Sequence, residues 1–251
     1  KHIPARMAPL IFLGTIVTHL CGGSSGREGA ALQIGGSLGE ALGRLFRLKD
    51  TDINIIVICG MSAVFASLFG TPIAATVFSM EVISVGVIHY SAFVPCIVSA
   101  AISYGITQEC GIVNAAYPQT FVPDFSVFLF LKVILLAMLC GVVSMLFCVV
   151  IHEAGHIYKK LLPNDYGRIF VGGCLVVALT MLAGTRAYNG QGADMIHQAM
   201  TGTCPTFAFL LKIIFTALTL GAGFKGGEIV PALFVGATLG NVAAPLLGLD
   251  P

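Results

Sequence analysis

The sequence predicts an all-α integral membrane protein, an inverted-repeat bundle of short, tilted and re-entrant helices. Three observations carry this reading. The 251 residues are 57% hydrophobic and only 10% charged, with a mean hydropathy of +0.94, whereas soluble domains carry about 25% charged residues. The apolar runs are short and are broken by glycine and proline. The stretch 15–40 recurs, 201 residues further on, at 216–241.

Apolar runs lie at 9–23, 30–46, 53–69, 73–90, 91–108, 125–157, 167–184, 205–222 and 230–248. Many fall short of the roughly 20 residues that a simple spanning helix needs, and Gly70-Thr71-Pro72 separates two of them. Helices that stop inside a bilayer are tolerated where they line a protein cavity. The runs divide into part of a first transmembrane repeat (1–108), an inter-repeat loop (109–124) and part of a second repeat (125–251). Both ends read as cut, so the sequence is expected to belong to a longer polypeptide.

The basic loops RLFRLKD (44–50) and YKKLLPNDYGR (158–168) are separated by four runs. The positive-inside rule places both on the cytoplasmic face and the loop 109–124 on the other. A net charge of +1 says nothing about partners; the expected surroundings are a lipid bilayer, with no nucleic acid. The eight cysteines include no CxxC pair, so neither a zinc site nor a disulfide framework is suggested. Cys59, Cys96, Cys140, Cys148 and Cys174 read as core thiols.

The repeat is ungapped. Nine of 26 positions are identical: Thr15/Thr216, Thr18/Thr219, Gly22/Gly223, Gly26/Gly227, Ala31/Ala232, Leu32/Leu233, Gly35/Gly236, Leu38/Leu239 and Gly39/Gly240. Average composition gives about two or three. A duplicated half is the pattern of transporters with inverted repeats. In each copy a glycine-rich break precedes a helix, GREGA before 31–45 and GFKGGEIVP before 232–247, with Pro231 near the favoured first-turn position. A helix start exposes unpaired N–H groups and about half a positive charge. Two such starts form an anion site, and glycine lets the backbone come close. Such a site needs no fixed positive side chain that would hold the ion too tightly for conduction. Glu28 is an intramembrane acid, a functional residue by default. Its carboxylate takes the anion's place and, once protonated, moves aside. The bland alternative is a structural pair with Arg27.

GREGAALQIGGSLG and GGEIVPALFVGATLG together resemble the CLC family of chloride channels and anion/proton antiporters, whose motifs are GREGP or GKEGP and GxFxP. FGTPIAATVFSMEVI (69–83) continues the match, and the resemblance covers nearly the whole chain. It implies a homodimer with one anion pathway per subunit. It also implies a bound halide, chloride or fluoride, with no other cofactor and no metal, no enzymatic activity, and a multi-pass location in the bacterial inner membrane. Glu28 becomes the gating and proton-transfer glutamate. Gly26, Arg27, Glu28 and Gly29 on one side, and Gly227, Ile229 and Val230 on the other, become the anion-binding residues.

Three positions depart from the family pattern. Ala30 replaces the usual proline, Ile229 replaces the common phenylalanine, and Glu228 precedes it. Proton-coupled chloride exchangers carry a second glutamate where this chain has Val82, just after Glu81; these two are the candidate proton-path positions. Valine there, with GFKGGEIVP, is closer to the fluoride/proton antiporter branch. A passive chloride channel or a chloride/proton exchanger of the same family is the alternative. The family's central serine and pore tyrosine fall outside this sequence.

HEAGH at 152–156 matches H-E-x-x-H, which on a helix sets two imidazoles on one face for zinc beside a general-base glutamate. A remote alternative is therefore an intramembrane metalloprotease using His152, Glu153 and His156. It lacks a patterned third ligand. Lys132 reads as a snorkelling or paired lysine, Lys225 as an anion attractor or a loop lysine, and His19, His89 and His197 as structural.

Overall fold

The computed structural model describes residues 3–83, 86–112, 124 and 126–249. Most of the predicted inter-repeat loop, and both chain ends, lie outside the described residues. The described helices are α1 (Met7–Leu20), α2 (Glu28–Leu45), α3 (Asp50–Phe69), α4 (Pro72–Val82), α5 (Phe93–Glu109), α6 (Val127–Leu161), α7 (Asp165–Ala183), α8 (Ala193–Met200), α9 (Ala208–Gly221) and α10 (Ile229–Leu246). A single 3-10 turn covers Tyr90–Ala92. Segments Asp50–Phe69, Tyr90–Glu109, Val127–Leu161, Asp165–Ala183 and Ile229–Leu246 are long and apolar enough to cross a bilayer, whereas α1, α4 and α9 are shorter apolar helices. The chain is therefore a multi-pass membrane protein.

Helix ends follow local chemistry. Gly70 closes α3 in a left-handed conformation (φ 70°), and its N–H donates to the Ala66 carbonyl. Pro72 then opens α4, where its missing N–H is harmless. The Ser126 hydroxyl accepts the Leu129 N–H at 3.0 Å to start α6, and Lys159 and Lys160 stand in its last turn, where cations oppose the helix dipole. Two sequence expectations change. The run 73–90 is helical only to Val82; it contains Gly86, which takes a left-handed φ of 80° that a continuing helix excludes. α8 lies in no apolar run: it has eight residues and buries only Met195, Ile196 and Ala199.

The chain forms two compact units, one of Lys1–Gly14 with Glu28–Ala116 and one of Thr15–Arg27 with Tyr117–Pro251. In the first, α2 lies backbone to backbone on α3. A Cβ on Gly35 would strike the Gly60 carbonyl, and one on Gly39 would come within 2.6 Å of the Ile56 oxygen. This is the small-residue packing that brings helices close where no hydrophobic effect drives them together. Hydroxyls tie α3 to α5: Ser62 donates to the Cys96 carbonyl at 3.3 Å, Ser99 to the Cys59 carbonyl at 3.2 Å, and Ser67 pairs with Thr107 at 2.7 Å.

In the second unit, Val143 and Phe147 of α6, Ile213 of α9, and Val235 and Leu239 of α10 form one core cluster. Gly221 at the end of α9 sits on Ala154 and Gly155 of α6. Lys132 donates to the Gly248 carbonyl at 3.0 Å and lies over the Phe128 ring, so its stem and head are both placed. Cys59 and Cys96 are buried as expected, and Cys140 is half-buried. Cys148 and Cys174 are exposed, because each lies on an outward helix face that the apolar run alone cannot distinguish from an inward one.

Candidate anion site

The repeat is visible residue by residue. α1 and α9 each have 14 residues, α2 and α10 each have 18, and every boundary in the second pair of helices lies 201 positions after its counterpart in the first. Both site helices begin at Glu28 and Ile229, three residues earlier than the sequence suggests. The last three residues of each glycine-rich break, 28–30 and 229–231, therefore belong to the first helical turn, and the rest precede it.

The two breaks meet. Gly26 N–H donates to the Gly227 carbonyl and Gly227 N–H donates back to the Gly26 carbonyl, both at 2.7 Å, in an isolated antiparallel bridge. These residues are repeat equivalents, and a residue paired antiparallel with its own equivalent marks a local two-fold relation. Gly22 and Gly223, also equivalents, both take left-handed φ values, 76° and 99°. At Gly22 a Cβ would stand 2.9 Å from Asn189 Nδ2.

A buried polar lattice holds the first break. Ser24 N–H donates to Thr219 Oγ1 at 3.0 Å, and the Ser24 hydroxyl pairs with Thr216 Oγ1 at 3.1 Å. Gly23 N–H donates to the Thr18 carbonyl at 2.9 Å, while the Gly23 carbonyl accepts Gly190 N–H at 3.0 Å. Lys212, fully buried on α9, donates to the Gly190 carbonyl at 2.8 Å and the Tyr188 carbonyl at 3.1 Å, and lies 4.9 Å above the Phe234 ring. The turn that supports Gly23 is thus itself held by the Lys212 amine. Arg168 closes the far end of α9: its Nε donates to the Ala222 carbonyl at 3.2 Å while the guanidinium pairs with Asp165 at 2.7 Å.

Glu28 opens α2 with only 2% of its surface exposed, and its Oε2 has no hydrogen-bond partner. Among the described residues it forms no ion pair with the exposed Arg27. The buried acid paired with an arginine is instead Glu40, whose Oε1 accepts from Arg44 at 2.8 Å and whose Oε2 accepts Ile3 N–H at 2.6 Å. A buried carboxylate oxygen without a donor is costly, by roughly 1–3 kcal/mol or more. Glu28 meets the positive end of a helix dipole, which compensates in part.

The remaining predicted residues separate. Gly26, Gly227 and Val230 are buried, Gly29 and Ile229 are half-buried, and Glu228 is exposed as the residue before α10. Glu81 and Val82 stand exposed at the end of α4. Lys225 is exposed in the second break. His152 and His156 are exposed on α6, and among the described residues no third metal-ligating side chain joins them.

Sequence reading missed Lys212, Ser24, Thr216 and Thr219 as parts of the site. One signal was available. Lys212 is a lone charge inside the apolar stretch AFLLKIIF, and a charge there needs an internal partner.

An all-helical membrane fold with two copies of one helix pair, each opening its second helix after a glycine-rich break, is of the inverted-repeat class of channels and transporters. The chain belongs to the family described as voltage gated chloride channel, which matches residues 1–250. A relative from Pseudomonas syringae pv. tomato named chloride/fluoride channel protein is 38% identical over 255 residues, covering 99% of this chain and 56% of the relative. A relative from Vibrio campbellii named H(+)/Cl(-) exchange transporter ClcA is 29% identical over 270 residues, covering 98% of this chain and 56% of its own. The crystal structure of a CLC-type fluoride/proton antiporter superposes with a TM-score of 0.94 at 36% identity, covering 100% of this chain and 63% of that one. A slow cyanobacterial Cl-/H+ antiporter superposes at 0.78 with 18% identity, a likeness of fold alone. The chain spans just over half the length of the curated relatives it matches.

Proposed function

We propose that the protein exchanges halide anions for protons across a bacterial inner membrane, with fluoride favoured over chloride, as one subunit of a homodimer. The observation that carries the reading is Glu28, a buried carboxylate with an unpartnered oxygen at the first residue of a helix, two residues after the Gly26–Gly227 bridge. The N–H groups that open α2 and α10 hold the anion, with Gly26, Arg27, Gly29, Gly227, Ile229 and Val230 shaping the approach. Glu28 competes with the anion when ionised and carries a proton when neutral. Fluoride is a small, strongly hydrated ion, and several N–H donors plus a protonated carboxyl offset its dehydration. The relative at 38% identity is named a chloride/fluoride channel protein and the solved structure at 36% a fluoride/proton antiporter, which supports fluoride as a transported ion.

The test is flux from liposomes holding the full-length protein. Fluoride and chloride electrodes record anion efflux while a trapped dye follows internal pH, for wild type and Glu28→Gln. Fluoride efflux well ahead of chloride, with proton movement lost in the variant, is the expected result. Chloride efflux without proton movement would assign a passive channel instead.

A further inference from the structure

The transport reading leaves the histidine pair of HEAGH unused. His152 and His156 lie one turn apart on α6 with both rings exposed, edge to face at 4.5 Å between centroids. Their Nε2 atoms stand 3.0 Å apart. In a neutral pair one Nε2 carries the hydrogen and the other accepts it; a metal ion would take both lone pairs.

The spacing is a chelate bite. Zinc–imidazole bonds run about 2.0–2.1 Å, so two of them meeting over this gap enclose an angle of about 95°. A rotation of either ring that widens the gap by a few tenths of an ångström reaches the tetrahedral angle. Among the described residues no third His, Cys, Asp or Glu completes the set, so water fills the other positions. Imidazole nitrogens with water select zinc, nickel or copper over magnesium or calcium.

The geometry points to a two-histidine site for a single divalent transition-metal ion at the far end of α6, independent of the anion pathway. The turn it spans includes Ala154 and Gly155, the two residues on which Gly221 of α9 rests. A bound ion clips a turn weakened by glycine and so stiffens the seat of α9, two residues before the left-handed Gly223.

The experiment titrates zinc and nickel separately into purified full-length protein, freed of any affinity tag, by calorimetry and by thermal unfolding. Wild type should bind one ion per chain and melt at a higher temperature with it. His152→Gln and His156→Gln should each weaken binding at least roughly tenfold, the loss that even an outer-shell substitution causes. His197→Gln, at an exposed position of α8, should leave it unchanged. The side chains replaced are exposed, so the variants should fold, and their unaltered elution as the same oligomer checks this. Absence of saturable binding in wild type overturns the site. So does binding that persists in the double histidine variant, or that depends on only one of the two rings.

Discussion

The two copies of the repeat share a frame and differ in chemistry. Residues 7–45 and 208–246 have matching helix lengths and matching left-handed glycines, and they join at Gly26 and Gly227. Yet the first copy opens its second helix on a buried acid, Glu28, where the second has Ile229. The second copy buries Lys212 where the first has Ile11. Duplication preserved the backbone geometry that creates the helix starts. The ionisable groups diverged: the first copy carries the buried carboxyl of Glu28, and the second the buried amine of Lys212, which donates to the turn supporting Gly23.

The sharpest way to break this comparison is at the acid. Glu28→Gln keeps the shape of the helix start and removes the titrating group, so proton movement should fall by roughly 100-fold, the lower end of what a positioned acid–base group supplies. Pyranine-loaded liposomes measure it, and proton flux within a few-fold of wild type would remove Glu28 from the gating role.

Next comes the base. Lys212→Met leaves the Tyr188 and Gly190 carbonyls without their buried donor, so stability should drop by about 2–4 kcal/mol. The loss is read from denaturation in mixed micelles, and Ile11→Met at the equivalent position should stay within about 1.5 kcal/mol.

The shared frame can be sharpened with a matched pair. Alanine at Gly22 or Gly223 meets the left-handed cost of about 1–2 kcal/mol. Gly22→Ala also crowds Asn189, whose Oδ1 already accepts from Thr180 at 3.2 Å, whereas Gly223→Ala meets only ordinary contact with Arg168. Thermal unfolding should therefore rank Gly22→Ala as the more damaging change. The smallest contrast concerns the threonines. Thr216→Val breaks the hydroxyl pair with Ser24 and should cost about 1 kcal/mol. Thr15 Oγ1 is buried with no partner, so Thr15→Val should be neutral or stabilising. Equal effects of the two valines would show that the lattice around Ser24 is not specific to one copy.

The legible parts were those set by local rules. Apolar runs located nine of the ten described helices, and they failed at α8, whose buried residues Met195, Ile196 and Ala199 are too few for a run. The ungapped offset of 201 marked the duplicated segments, and GREGA marked Glu28 as unusual. Cys148 and Cys174 show the limit: an apolar stretch in a membrane protein faces lipid or protein with the same composition, so burial does not follow from it.

The sequence alone determined the membrane setting, the duplicated segments and the acid at a helix start, because helix bonds link residues four apart and leave their mark in nearby residues. Only the tertiary structure decided that Gly26 pairs with Gly227 and that Ser24 rests on Thr216 and Thr219. It also decided that the buried amine of Lys212 donates to two carbonyls rather than to an acid. The pairings of Gly26 and Ser24 join residues about 200 positions apart, and they depend on which helix faces close on one another, information that no local pattern contains.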